Sequence, residues 1–259
     1  MPQRVITLTT DFGTTDHFVG VMKGVILGIA PRASIVDITH EIAPFNVRAA
    51  AFVVHETWRY FPKGTIHVVV IDPGVGSARR PLLVEAGGQL FVGPDNGVFS
   101  MLYDGDALRV RTITNPKLMR KQISKTFHGR DVFAPVAAHL AGGVRPAQAG
   151  NLIHDYVGLD QMKPVRSGKT WRGVILKDDR FGNLITNFKA EDFGGNSFEA
   201  RIGGKCIHRM AQTYAETEVG ELFAIVGSSG YLEIAANQTS AAALLGCSAG
   251  ANIEWEILG

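Results

Sequence analysis

Between residues 4 and 71 the hydrophobic pattern switches period four times, and that alternation limits the folds open to the chain. RVITLTT (4–10) is apolar and β-branched, as a strand requires. Phe18, Val21, Met22, Val25, Ile26 and Ile29 then form a helical stripe over residues 16–30 that Pro31 stops. SIVDI (34–38) reads as a second strand, and Asn46 is placed to cap a helix running to about Tyr60. Pro62, Lys63 and Gly64 turn the chain into a third strand, TIHVVVI (65–71). Strands joined through helices in this order pair in parallel by right-handed crossovers. Further strands at 82–86, 89–93 and 108–113 and a helix near 131–141 extend the region.

After Asp160 the pattern changes. Residues 161–172 are polar and broken by Pro and Gly, and read as a linker. Beyond them GVILK, LITNF, FEARI, LFAIV and YLEIA are short β segments separated by turn residues. The predicted fold is therefore an N-terminal three-layer α/β domain with a mainly parallel sheet (1–160), followed by a smaller β-barrel-like domain (173–259). A chain of 259 residues with 46% hydrophobic and 19% charged residues has enough apolar material for both cores.

Charge and cysteine usage remove several classes of function. A net charge of +2, with Lys and Arg never clustered beyond pairs, argues against a nucleic-acid surface. Cys206 and Cys247 are the only cysteines and show no metal-ligand spacing, so neither a disulfide framework nor a metal site is predicted. The N-terminus lacks the pattern of a signal peptide, and no apolar run reaches the ~18 residues of a membrane helix. The expected setting is cytoplasmic.

In an open parallel sheet, ligands bind beyond the carboxyl ends of the strands. Three such ends carry polar groups: TTDFGTTDH, THEIAPFN and DPGVGSARR, which bring Asp11, Asp16, His40, Asp72 and Arg79 toward one crevice. Asp72 either faces a ligand, with Gly74 and Gly76 letting backbone approach, or opens a turn with Pro73. Asp11 either grips paired hydroxyls or caps the next helix, a job for which Asp16 is better placed. In TFHGRDVFAP (126–135), His128 is of the right type for an acid, a base or an orienting group, or is simply structural. Asp131 is placed to cap the following helix or to pair with Arg130.

In the second domain, KDDRFGNLITNF (177–188) gathers Asp178, Asp179, Asn183 and Asn187 around a turn. These side chains suit either an Asx-rich hairpin or the polar edge of a ligand. GSSGYLEIAANQ (227–238) offers the same choice. DFG (11–13) and HGRD (128–131) match kinase signatures in reversed order without a Gly-rich loop, and SGKT (167–170) lacks the first glycine of a phosphate loop. All three are chance matches.

TLTTDFG, VDITHEI, VIDPGVGSARR, VGPDNGVF, TFHGRDVFAP, DRFGNLITN and GYLEIA follow one another along nearly the whole chain. In that order they resemble the S-adenosylmethionine (SAM) hydroxide adenosyltransferases, the SAM hydrolases related to fluorinase and chlorinase. The resemblance implies an enzyme that hydrolyses SAM to adenosine and L-methionine by attack of water or hydroxide at C5′. SAM would be its substrate, with no cofactor or metal, and the assembly a homotrimer with sites at subunit interfaces. It also implies a catalytic Asp72, Arg79 and His128, a set the halogenases lack; Arg79 fits the spacing better than Arg80. Asp11 would hold the ribose hydroxyls and Phe45 lie beside the ligand. Asn183 with Asp178 or Asp179 would grip the methionine part or ribose edge; Ser228, Tyr214, Glu233 and the backbone near Gln238 complete the set. Phe18 departs from the serine that fluorinase carries there. The competing readings are a halide-using enzyme of the same fold and a non-catalytic SAM or adenosine sensor.

Overall fold

A computed structural model describes residues 4–258 apart from 104, 106, 161 and 194–196. The chain divides into two compact units, Met1–Leu159 and Asp160–Gly259. Among the described residues no helix is long and apolar enough to cross a membrane.

The first unit opens with β1 (Val5–Thr10), α1 (Phe18–Ile29), β2 (Ser34–Thr39), α2 (Val47–Thr57) and β3 (Ile66–Val70). It continues through β4 (Pro81–Ala86), β5 (Gln89–Pro94), β6 (Arg109–Thr112), α3 (Ala134–Ala141) and β7 (Leu152–Ile153). The seven strands lie in the order β2-β1-β3-β5-β4-β6-β7. Pairing is parallel from β2 to β5 and antiparallel from β5 onward. Period-two alternation sorts the side chains: Ile66, Val68 and Val70 join the core under α1 and α3, while Val69 and Ile71 join the one under α2. Both faces are thus covered, which is why β3 is apolar apart from His67.

Helix boundaries follow local chemistry, with one exception. The Asn46 side chain accepts from the Ala49 amide and caps α2 as expected. Asp16 does not cap α1; His17 holds that position without a side-chain bond, and Asp16 lies exposed. Before α3 the turn Gly129–Phe133 is π-helical, a widened turn that often marks functional sites.

The second unit contains β8 (Val165–Ser167), β9 (Thr170–Asp178), β10 (Leu184–Lys189), β11 (Phe198–Ile202) and β12 (Lys205–Ile207). β13 (Met210–Ala211), β14 (Leu222–Val226), β15 (Tyr231–Ala236), α4 (Ala241–Leu245) and β16 (Asn252–Ile257) complete it. The sheet runs β12-β11-β16-β9-β10-β15-β14-β13, with β8 beside β9. Its core gathers Phe188, Phe198, Ile234 and Trp255; Phe198 and Trp255 stack at 4.1 Å. Residues 165–167 lie in β8 and 170–172 in β9, and Trp171 packs on that core, so the second half of the polar stretch before Gly173 is largely strand.

Candidate active site

The first unit places its polar strand ends where topology demands. β1 leads through α1 to β2 on one side, and β2 leads through α2 to β3 on the other, with the two helices on opposite faces. The crevice between the carboxyl ends of β1 and β3 is therefore a topological switch point. Asp11 follows β1 and Asp72 follows β3, and both line a cavity of about 310 Å³.

Asp72, Arg79 and His128 form one continuous chain of polar contacts. Arg79 donates from Nε to Asp72 Oδ1 at 2.8 Å, and its Nη2 meets Asp72 Oδ2, a two-pronged pair. The same Nη2 lies 2.7 Å from His128 Nδ1. A guanidinium only donates, so Nδ1 accepts and the neutral ring carries its proton on Nε2. Burial, and then the charge of Arg79, hold the His128 imidazolium below its ordinary pKa, consistent with that form. Asp72 and His128 line the cavity; Arg79 lies behind them over the Phe133 ring at 5.3 Å. Its Nη1 is buried without a hydrogen-bond partner. Such an atom costs free energy unless a water or ligand meets it.

Two loops must touch to build this chain. Gly76 has φ +75°, and a Cβ there would collide with the Lys125 carbonyl, so only glycine lets the DPGVGSARR loop lie against the segment before His128. The second arginine is occupied elsewhere: Arg80 donates to Asp95 at 2.7 Å and Asp155 at 2.9 Å. Asp131 is buried and pairs with Arg130 at 2.7 Å, and it lies inside the π-turn rather than at a helix cap.

The other wall is apolar and aromatic. Phe12, Phe18 and Phe127 pack together, Phe18 meeting Phe127 edge-on at 5.1 Å. Phe18 thus supplies surface where a serine would supply a hydroxyl. Phe45 is 70% exposed and adopts φ +67°, a strained backbone for a bulky residue. Its amide donates to Asp11 Oδ2 at 2.9 Å, which the strained turn makes possible. Burial raises the Asp11 pKa; that amide bond opposes the rise, and the Asp72 charge adds to it.

The second unit has its own cavity, of about 980 Å³. Asp179, Asn183, Tyr214, Ser228, Glu233 and Gln238 all line it. Asp179 and Asn183 are locked together, with Asn183 Nδ2 donating to Asp179 Oδ2 at 3.0 Å. Asp178 does not line the cavity; its Oδ1 accepts from the Ala249 amide at 3.2 Å. Asn187 is likewise structural, accepting from the Val174 amide. Burial, then the charge of Asp179, push the Glu233 carboxyl up to about 7. Gln238 has φ +53°, which turns its backbone at the cavity edge.

Sequence reasoning passed over Phe181, Gln212 and Thr213 in this cavity, and Phe12 and Phe127 in the first. Phe181 and Phe127 stood within quoted motifs, an available signal; Gln212 and Thr213 carry none. The absence of ligand spacing around Cys206 also needs correcting. Cys206, His208 and Glu199 offer ligand atoms within 4.8 Å of one another on the β11–β12 hairpin. They line neither cavity, and Arg201 already holds Glu199 at 2.5 Å.

Residues 6–150 match the model of the SAM hydroxide adenosyltransferase N-terminal domain, and residues 173–254 that of the corresponding C-terminal domain. An (R)-S-adenosyl-L-methionine hydrolase of Thermus thermophilus is 36% identical over 95% of this chain and 97% of its own length. A fluorinase of Actinoplanes sp. is more distant, at 27% over 90% and 91%. The crystal structure of an uncharacterized conserved protein from Thermotoga maritima superposes with a TM-score of 0.88 at 38% identity, over 96% of this chain and 99% of that one. The chain belongs to the SAM hydroxide adenosyltransferase family.

Proposed function

We propose that this member of the family is an enzyme that hydrolyses SAM to adenosine and L-methionine, with Asp72, Arg79 and His128 as its catalytic residues. The observation that carries this reading is the Asp72–Arg79–His128 chain at a topological switch point, with one guanidinium nitrogen, Nη1, left buried and unpartnered. The sulfonium already leaves readily, so the protein has to position a nucleophile in line with the C5′–S bond. Positioning of this kind contributes roughly 7–11 kcal/mol.

Water supplies the oxygen. The C5′–O bond forms as C5′–S breaks, the electron pair goes to sulfur, and one proton leaves the water. A guanidinium is no base at working pH, so Arg79 stabilises the developing hydroxide by charge. Asp72 fixes the guanidinium through two bonds. His128 accepts or relays the proton once its Nδ1 exchanges Arg79 for water. Hydroxide and sulfonium neutralise each other as they approach, so the aromatic wall of Phe12, Phe18 and Phe127 favours the reaction by excluding solvent.

Asp11 takes the ribose hydroxyls, Phe45 lies beside the nucleoside, and the second-unit residues Asp179, Asn183, Tyr214, Ser228, Glu233 and Gln238 hold the remainder. SAM is substrate, and the reaction as written calls for no cofactor. The working assembly is a cytoplasmic homotrimer with sites at subunit interfaces. Incubation with SAM in halide-free buffer, followed by chromatography, tests the reading. Adenosine and methionine should appear in equal amounts and vanish in Asp72→Ala and His128→Ala. Binding without turnover would leave a sensor, and turnover only with halide would leave a halogenase-type enzyme.

A further inference from the structure

Behind the first cavity lies a second polar chain whose members do not line it. Lys23 donates to Asp37 Oδ2 at 2.6 Å, and Asp37 Oδ1 lies 3.1 Å from Nε2 of the buried His40. His40 Nδ1 is 2.8 Å from Oγ1 of Thr10, which is fully buried. Thr10 Oγ1 in turn accepts from the Phe12 amide at 3.3 Å, and the His40 carbonyl accepts from the Gly13 amide at 2.8 Å. Asp11 therefore sits in a short turn tied down on both sides.

The chain exists because β2 carries an irregularity. Leu8 pairs with Asp37 but Thr9 pairs with Thr39, so Ile38 is an extra residue. Asp37 and His40 are three apart and would point to opposite faces of a regular strand. One extra residue brings them to the same side, as bulges near functional sites do. With the Asp37 carboxylate 3.1 Å from Nε2, the tautomer protonated there is the one its charge favours, although the two atoms form no hydrogen bond. Nδ1 is then an acceptor, so the Thr10 hydroxyl donates to it and turns a lone pair to the Phe12 amide. Each member sets the polarity of the next.

We propose that Asp37, His40 and Thr10 are positioning residues that hold the Asp11 carboxylate for a vicinal diol of the nucleoside. This rests on the reading of Asp11 as the group that takes the ribose hydroxyls. None of the three touches the cavity, so they act through the turn. Hydrogen bonds to a charged carboxylate are among the stronger ones, so a diol that loses its alignment with Asp11 binds about tenfold more weakly or worse.

The test compares binding of adenosine with that of 2′,3′-dideoxyadenosine by calorimetry, in the full-length protein. Wild type binds adenosine more tightly, and Asp11→Ala removes the difference. Thr10→Val, which keeps shape and removes the hydroxyl, lowers the adenosine preference by about tenfold or more while dideoxyadenosine binding stays as in wild type. Thr10→Ser restores it. Asp37→Asn, at a side chain 40% exposed, lowers it in the same direction. An unchanged preference in both Thr10→Val and Asp37→Asn overturns the positioning role. Equal weakening of both nucleosides also overturns it, because that marks a general structural fault. No preference in wild type defeats the reading of Asp11 itself, and the inference with it.

Discussion

At the scale of single residues, burial shifts His128 and Glu233 in opposite directions. Burial and the Arg79 charge stabilise neutral His128. If the ring must be neutral to take a proton, activity falls only when pH drops below the ordinary imidazole value near 6.5. The acid limb of kcat should therefore have its midpoint below 6.5, and a midpoint at or above it would break the link between ring and rate. Removing the charge with Arg79→Gln moves the ring pKa upward, since one lowering cause goes while the Asp72 charge that raises it remains; ring NMR measures this directly. Glu233 is the opposite case. Its folded pKa of about 7 exceeds the unfolded value near 4.5, so its contribution to stability is full below 4.5 and is lost as pH rises through 7. Glu233→Gln should thus raise the melting temperature more at pH 8 than at pH 5; equal shifts at both would show that no carboxylate charge is being buried. His128 was legible as a titratable group beside a glycine at the start of a helix, whereas Glu233, in the middle of β15, entered only through the family resemblance. Sequence reasoning left open which of Asp178 and Asp179 faces ligand, since only the hairpin's fold sends Asp178 to Ala249.

At the scale of elements, the main strands and helices of the first unit were legible because they bury long apolar runs or regular stripes, whereas β8, the start of β9 and β16 were not. The β3 segment is the clearest case, and its one polar member shows how such burial is managed. His67 lies on β3, flanked by β1 and β5, with Nδ1 2.8 Å from Thr7 Oγ1 on β1 and Nε2 2.5 Å from Gln89 Oε1 on β5. Burial depresses its pKa to about 4, against 6.5 unfolded. The unfolded chain therefore binds the extra proton first: stability is full above 6.5 and declines by about 3 kcal/mol as pH falls to 4. Urea titrations at pH 7 and pH 4.5 should show part of that loss, and ring NMR should show no His67 titration near 6.5. Irregular features were not legible. The bulge at Ile38, the π-turn before α3 and the strained Phe45 depend on tertiary pairing rather than local propensity. Gly76 is intermediate, visible as a loop glycine but not as the point where two loops meet. Gly76→Ala must push the Lys125 backbone away or leave its own conformation, at a cost of roughly 1–3 kcal/mol. SAM turnover should fall by at least tenfold while the urea midpoint of the sheet moves only modestly; unchanged turnover would mean the two loops need not touch.

At the scale of the whole molecule, the proposed trimer makes a prediction that no single chain can imitate. No periodic stripe in the sequence marks a subunit interface, since such surfaces are assembled from several loops. The assembly enters through family resemblance alone. Suppose each site joins Asp72 of one subunit to Asn183 of its neighbour in a closed ring. Asp72→Ala and Asn183→Ala homotrimers are then both inactive. A ring containing both variants always has one junction where the intact Asp72 meets the intact Asn183, whichever variant is in excess. Random re-assembly of equal amounts should therefore restore about a quarter of the wild-type rate per chain, a consequence of cyclic closure. Complementation that stays at background, with light scattering confirming mixed trimers, would place every site within one chain. Recovery near a quarter would establish shared sites without any coordinates of the assembly. The dependence on mixing also separates sharing from mere stabilisation, because a stabilising neighbour would rescue both variants to an extent set by their folding, not by the count of intact junctions.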